Sequence, residues 1–465
     1  MYQLKKKFIG NKAFYRSLLG ISVPIMLQSA ISNFVSLLDN IMVGRVGTEQ
    51  MTGVAIANQL FFVYFLAIFG GLAGAGIFTA QFFGGGDDEG VRHTFRYKIW
   101  MGLVLVVLAI GIFLLFGQQL LMLYLTGENS AGDVQATLSY GTVYMNICLF
   151  GLPGFAITQI YAGTMRDCGR TRVPMVAGIT AVLTNLVLDA VLIFGLGPFP
   201  ELGVAGAAIA TVAARYVEAA VVVIYSHTHK HILKYMDGLY RTLRIPGRLI
   251  REITIKGMPL LVNETLWSLG MATLTRCYSI RGLEVIAGMN ISNTISNVVN
   301  ITFFSMGDAV AIIVGQLLGA GKMKEAKDAD NKIIAFSVFL GVISAGLLVA
   351  LAYTFPQVYN TSDQVKDLAR QFLLIQAVFT PQIALLHTTY FTMRSGGKTI
   401  ITFIFDSLFV WVVSVPTAFV LSNYTALAAI AIFAIVNLAD IIKSVFGLIL
   451  VKKNAWMNNL TQTGS

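Results

Sequence analysis

Thr164-Met165-Arg166-Asp167-Cys168-Gly169-Arg170-Thr171 returns later in the chain as Thr392-Met393-Arg394-Ser395-Gly396-Gly397-Lys398-Thr399, with five of the eight residues identical. Met165 and Met393 stand 228 residues apart, and Pro153 and Pro381 keep that spacing. Earlier in each half, Pro24, Gln81 and Gly84 recur as Pro259, Gln316 and Gly319 at a spacing of 235. A short insertion or deletion between the two blocks accounts for the different offsets. Two like halves packed face to face in a bilayer enclose a central cavity, the plan on which many transporters are built.

The bilayer follows from composition. The 465 residues are 56% hydrophobic and 12% charged, with mean hydropathy +0.73. A soluble domain carries about 25% charged residues, so an ordinary cytosolic enzyme is excluded. Apolar stretches of about 20 residues or more predict twelve spans. They lie near 17–43, 52–83, 96–121, 136–163, 172–195, 203–226, 252–276, 284–318, 330–354, 366–392, 400–421 and 425–450. Only helices satisfy so much backbone inside such segments, which predicts an all-α integral membrane protein.

The net charge of +10 is topological. With the amino terminus inside, 26 of the 33 Lys and Arg fall on inner segments and four (Arg45, Arg276, Arg281 and Lys366) on outer ones. That asymmetry predicts an even number of spans with both termini cytoplasmic, in the cytoplasmic (inner) membrane. It leaves no role for nucleic acid. The Lys-rich residues 1–16 read as an amphipathic lead-in on the inner leaflet, where membrane lipids are the expected partners. No cleavable signal is apparent.

The organisation expected is a first lobe over 1–226, a connector over 227–247 and a second lobe over 248–465. Six spans in each lobe give the repeats one orientation, related by a pseudo-two-fold axis along the membrane normal. His227, His229 and His231 in the connector lack carboxylate or cysteine companions and read as part of a solvated basic loop. Cys148, Cys168 and Cys277 lack metal-ligand spacing and read as free apolar cysteines. Pro24, Pro153, Pro259, Pro381 and Pro416 lie at depth, where a kink supplies either a hinge or a packing irregularity.

Ionisable residues inside spans cost at least about 2.5–3.5 kcal/mol each and so mark candidate sites. Asp39 on span 1 and Asp189 on span 5 both fall in the outward-facing part of the first half. Asn185 shares a helix face with Asp189, and Thr211 on span 6 adds a hydroxyl at comparable depth. Two carboxylates, an amide and a hydroxyl make an all-oxygen site suited to Na⁺ as the bound metal, or to a shared proton. Glu218 with Arg215, and Asp440 with Lys443, read as locally neutralised structural pairs. Glu264 and Asp308 have no partner of opposite charge on their own helices and are candidates for a second ionisable site. Asp406 lies near the inner end of span 11. Phe and Met clusters such as Phe61-Phe62 and Phe303-Phe304 suit a soft surface for bulky organic cations. No phosphate-cradling loop occurs, so the driving energy is expected from an ion gradient, or from elsewhere than ATP bound to this chain.

Several of these segments resemble the multidrug and toxic compound extrusion (MATE) transporters. The matching stretches are Asp39-Asn40-Ile41-Met42-Val43-Gly44 with Gly47, Asn185-x-x-Leu188-Asp189 through Gly195, Gly206-Ala207-Ala208-Ile209-Ala210-Thr211, and Gly315-Gln316-x-x-Gly319-Ala320-Gly321. Both Thr-Met-Arg segments match as well. The likeness covers essentially the whole chain and falls closest to a bacterial or archaeal branch with a cation site in the first lobe. It implies two six-helix bundles, a V-shaped cavity, and export of drugs or metabolites in exchange for Na⁺ or H⁺. The coupling residues it implies are Asp39, Asn185, Asp189 and Thr211. Other members use acids on helices 7 and 10. Glu264 resembles the helix-7 acid, whereas Phe372–Met393 holds no Asp or Glu, only His387.

The expected function is therefore a cation-coupled antiporter for organic, cationic or amphipathic compounds, working as a monomer without a cofactor. A lipid or lipid-linked oligosaccharide flippase of the same superfamily is the alternative within transport. A membrane-embedded enzyme would need a nucleophile–base pair or clustered acids at one surface, and the scattered acids here argue against it.

Overall fold

The computed structural model describes residues 8–125 and 133–462, apart from the side chains of residues 36, 37, 39–41 and 283. The lead-in expected over residues 1–16 thus lies in part outside the described residues. Helices follow one another without a strand among the described residues: α1 (Lys12–Gly44), α2 (Thr48–Gly84), α3 (Asp88–Leu125), α4 (Val134–Cys148), α5 (Gly151–Asp167), α6 (Arg172–Phe194) and α7 (Gly203–Thr228). The second half has α8 (Gly247–Ser279), α9 (Leu283–Gly319), α10 (Met323–Thr354), α11 (Asp363–Ser395), α12 (Thr399–Phe403), α13 (Val415–Tyr424) and α14 (Ala429–Lys452).

These helices are built for lipid. The surface of α3 exposes Leu103, Val107, Leu108, Leu114 and Leu115, a face that only hydrocarbon solvates favourably. Among the described residues ten helices are long and apolar enough to cross a membrane, and the count is eleven if the α4–α5 pair, bent by 47°, is one span. The twelfth predicted span, 252–276, lies in α8, which is long enough but carries Arg248, Arg251, Glu252, Lys256, Asn263 and Glu264. Its polarity is a correction to an account based on apolar stretches alone.

The prolines separate into two groups. Pro24, Pro259 and Pro381 sit inside continuous helices. Pro153 stands in the first turn of α5, just after the break, and Pro416 opens α13 behind two π turns, Ile404–Leu408 and Val410–Ser414. A proline cannot donate to the preceding turn, so carbonyls there need other partners. At the α4–α5 break Leu149 O, the carbonyl that Pro153 cannot reach, accepts from Leu152 N at 3.2 Å, while the Tyr216 hydroxyl donates to Phe150 O at 2.9 Å and the Tyr64 hydroxyl to Leu152 O at 2.8 Å.

The chain forms two compact units, Leu27–Thr79 with Asp87–Ile253, and Met1–Met26 with Ala80–Gly86 and Thr254–Ser465. In lipid the hydrophobic effect does not draw helices together, so close backbone contact must. In the first unit a Cβ on Gly206 of α7 would lie 2.5 Å from Leu192 O of α6, and one on Gly53 of α2 would lie 2.7 Å from Thr137 O of α4. In the second, the repeated Gln-x-x-Gly motifs cross reciprocally. A Cβ on Gly84 would lie 2.0 Å from Gln316 O, and one on Gly319 would lie 1.8 Å from Gln81 O. Around that crossing a core gathers Leu18, Met306, Val310, Phe391, Met393 and Trp456.

The connector differs from the solvated loop expected. Leu233, Tyr235, Met236 and Leu239 are buried, and Arg96 Nε donates to Leu239 O at 3.0 Å. His227 stacks on Tyr240 and His229 on Tyr225. The apolar residues between the basic ones give the segment a packing face that its net charge concealed.

Candidate functional site

In the first unit, two close approaches fix the depth of the predicted cation residues. The side chain of Gln28 on α1 occupies the space where a Cβ on Gly178 of α6 would point, 2.6 Å from Gln28 Nε2. Successive crossings alternate in direction, so α1 and α6 run the same way. Eleven residues beyond each contact point stand Asp39 and Asp189, so the two positions share one level, about 16 Å along their helices. The side chain of Asp39 lies outside the described residues.

The second approach brings in α7, which runs opposite to α6. Gly206 is level with Leu192. Five residues into α7 is Thr211, and five residues back along α6 is Val187, between Asn185 and Asp189. Asp189 is completely buried. Asn185 Nδ2 is also buried and has no hydrogen-bond partner among the described residues. An amide is symmetric in outline, so it can present its oxygen to a cation by rotation. Carboxylate, amide and hydroxyl oxygens are the donor set that hard cations take, and the same carboxylate can bind a proton.

The second unit holds a different polar cluster. Asn263 on α8 donates through Nδ2 to Asp406 Oδ2 at 2.8 Å and to the Tyr390 hydroxyl at 3.3 Å. Its Oδ1 accepts from Ser407 N at 3.3 Å and from Ser407 Oγ at 2.7 Å. Asp406 and Ser407 lie on the first π turn, a device that re-aims side chains and recurs at functional sites. Glu264, next along α8, is within electrostatic reach of Arg394 and Asp406. His387 donates through Nδ1 to Ile383 O at 3.0 Å, meets Phe304 edge-on, and is reached by Asp406 and Lys443. Asp308 is half-buried beside Gly307, which packs on Phe391.

Of the candidates in the second half, Glu264 and His387 thus share the surroundings of Asp406. Sequence reasoning missed Asn263, Tyr390 and Ser407 as partners. It also missed Asp330 on α10, completely buried and accepting from Thr392 Oγ1 at 2.5 Å. The paired acids behave as the spacing suggested: Arg215 lies 3.8 Å from Glu218 and Lys443 lies 2.9 Å from Asp440. Arg215 also covers the rings of Phe65 and Phe155, which makes it part of the packing. All three cysteines are free and buried, and burial pushes the Cys168 thiol well up.

An all-helical membrane protein with an internal repeat, and with a buried acid at Asp189 level with a second acidic position on a neighbouring helix, has the build of a secondary transporter. The MatE family profile matches residues 24–191 and 259–420, and the chain belongs to that family. It is 26% identical to the probable multidrug resistance protein YoeA of Bacillus subtilis over 90% of this chain and 89% of that one. It is 25% identical to the probable multidrug resistance protein NorM of Thermotoga maritima over 98% of this chain and 96% of that one. Among solved structures it is similar to a MATE protein in a bent conformation, with TM-score 0.86, 18% identity and 97% of each chain covered. It is also similar to a variant of a Vibrio cholerae MATE transporter, with TM-score 0.85 and 17% identity over 96% of this chain and 98% of that one. The fold is therefore the two-lobe, twelve-helix fold of these transporters, and the protein is a transporter rather than an enzyme.

Proposed function

We propose that this protein exports organic, cationic or amphipathic compounds across the cytoplasmic membrane in exchange for inward-moving Na⁺ or H⁺. The observation that supports it most is the buried Asp189, with Asn185 one turn away, at the level of Thr211 and of position 39. The names of the multidrug resistance relatives support the substrate class. The excess of Lys and Arg on inner segments supports cytoplasmic termini. Reciprocal glycine packing within one chain fits a protein that works as a monomer.

Entry of a cation or proton offsets one of the two negative charges of Asp189 and its companion at position 39, which changes the polarity of this part of α1 and α6. Such binding shifts the equilibrium between states only as far as it prefers one of them. Coupling then requires that the exported compound prefer the other state, or compete for the same acids. Ethidium or norfloxacin efflux from everted vesicles with imposed Na⁺ and pH gradients tests this. The gradient that drives efflux names the coupling ion, and Asp39→Asn and Asp189→Asn should each abolish it with expression intact. Efflux that survives both substitutions contradicts the first-half site. Wild type that moves no dye points to a dedicated metabolite exporter or a lipid flippase.

A second reading places coupling at the Asn263–Asp406 cluster with Glu264. The hydrogen bond between an amide and an acid on neighbouring helices favours it. In that case Asp406→Asn and Glu264→Gln, rather than Asp189→Asn, remove gradient dependence.

A further inference from the structure

The structure assigns the carboxyl-terminal segment Asn454–Gln462 as an inner-face latch, which holds the end of α2 against the α11–α12 turn and must release when the transporter opens inward. The assignment rests on the transport reading above and on the inward placement of the carboxyl terminus.

After α14 ends, Asn454 takes φ +56°, a left-handed conformation that Asn tolerates better than most residues. The chain thereby folds back. Trp456 is completely buried, and its carbonyl lies where a Cβ on Gly396 would be, at 1.7 Å. Two side-chain amides then tie the segment to its bed. Asn458 Nδ2 donates to Gly396 O at 3.4 Å, and Asn459 Nδ2 donates to Gly319 O at 3.2 Å. Gln81 joins all the parts. Its Nε2 donates to Ser395 O at 2.9 Å and to Asn458 O at 3.2 Å, while its Oε1 accepts from Leu460 N at 2.7 Å. Gln81 is completely buried and its bond to Ser395 O lies in the interior, where leaving it unmade is expensive, while its two bonds to the tail are part-buried.

The repeat shows that the segment has its own docking surface. Gly396 stands at the position of Cys168 in the first copy. The second turn lacks a side chain at the one place where the tail backbone crosses it. Gln81 comes from the first half of the sequence, and the turn and the tail come from the second. Any inward opening that draws α2 away from the α11–α12 turn breaks the Gln81 bonds in one step. A segment that merely finished the fold would not need its bonds concentrated on a residue from the other repeat.

The test replaces Cys148, Cys168 and Cys277 by serine and introduces Leu460→Cys. Everted vesicles are labelled with a membrane-impermeant maleimide, at rest and during gradient-driven ethidium efflux. The latch predicts slow labelling at rest and labelling about fivefold to tenfold faster during turnover, the change expected when the part-buried bonds that hold the tail open. Gln81→Leu should label at the faster rate without ethidium or a gradient, and Asn458→Ala should move in the same direction if Gln81→Leu does not express. Labelling that stays equally slow in every condition means a static anchor and overturns the proposal. Labelling equally fast in every condition means an undocked tail and also overturns it. The Gln81→Leu comparison needs no transported compound, so failure of wild type to move ethidium counts against the transport reading alone.

Discussion

The two halves make the same helix contact with opposite chemistry. Gln28 and Asn263 occupy equivalent positions at the 235-residue spacing, and Gly178 and Asp406 do so at the 228-residue spacing. In the first half the amide side chain lies against a glycine; in the second it donates to a carboxylate. The first half instead carries its acid eleven residues further along, at Asp189, where the second has Thr417. Likewise, Leu274 replaces Asp39. Duplication thus preserved the packing scaffold and let the depth of the charge diverge. The repeated Thr-Met-Arg turns show the same divergence. Thr164 shares Lys98 with Asp167, whose carboxylate lies 2.7 Å from Nζ, whereas Thr392 donates to the buried Asp330.

The largest effect should separate the two acids. Asp189→Asn is expected to lower gradient-driven dye efflux about 100-fold, at the upper end of typical coupling energies, while Asp406→Asn leaves it within about threefold. Efflux initial rates normalised to protein in the membrane check this. Next comes the backbone contact that sets the depth of Thr211. Gly206→Val drives a side chain into Leu192 O, and overpacking of this kind costs about 1–3 kcal/mol or more. The expected result is a clear fall in the thermal unfolding midpoint in detergent, with Thr211→Ala leaving that midpoint near wild type.

The remaining pair tests the Gln28–Asn263 equivalence directly. Asn263→Ala leaves the half-buried Asp406 and the buried Ser407 without their shared partner and should destabilise the protein by about 1–3 kcal/mol. Gln28→Ala removes an amide that faces a glycine, and about 0.5 kcal/mol or less is expected, as for substitutions away from polar networks. Equal shifts for the two variants would mean that Gln28 holds a partner as Asn263 does.

Much of this architecture was legible in the sequence because its signals are local or repeated. The Met165–Met393 spacing exposed the duplication, and the four-residue step from Asn185 to Asp189 placed both on one helix face. What escaped depends on contacts between distant residues. Nothing in the pattern around Gly178 or Gly206 reveals which residue of a neighbouring helix sits level with it. The π turns ahead of Pro416 rotate Asp406 out of the register that an ideal helix would give it, so its bond to Asn263 could not be read from spacing. The α4–α5 break falls inside one apolar stretch, so spacing does not show it, and the tyrosine hydroxyls from α2 and α7 that bond its carbonyls come from distant parts of the chain. The burial of Trp456 depends on a glycine sixty residues earlier, a contact that no local pattern shows.

The most direct test reconstitutes wild type, Asp189→Asn and Asp406→Asn in liposomes and records the Na⁺ or H⁺ flux that an ethidium gradient drives. The account predicts cation flux from wild type and Asp406→Asn and none from Asp189→Asn. Flux retained by Asp189→Asn and lost in Asp406→Asn would contradict it and move the coupling site to the second half.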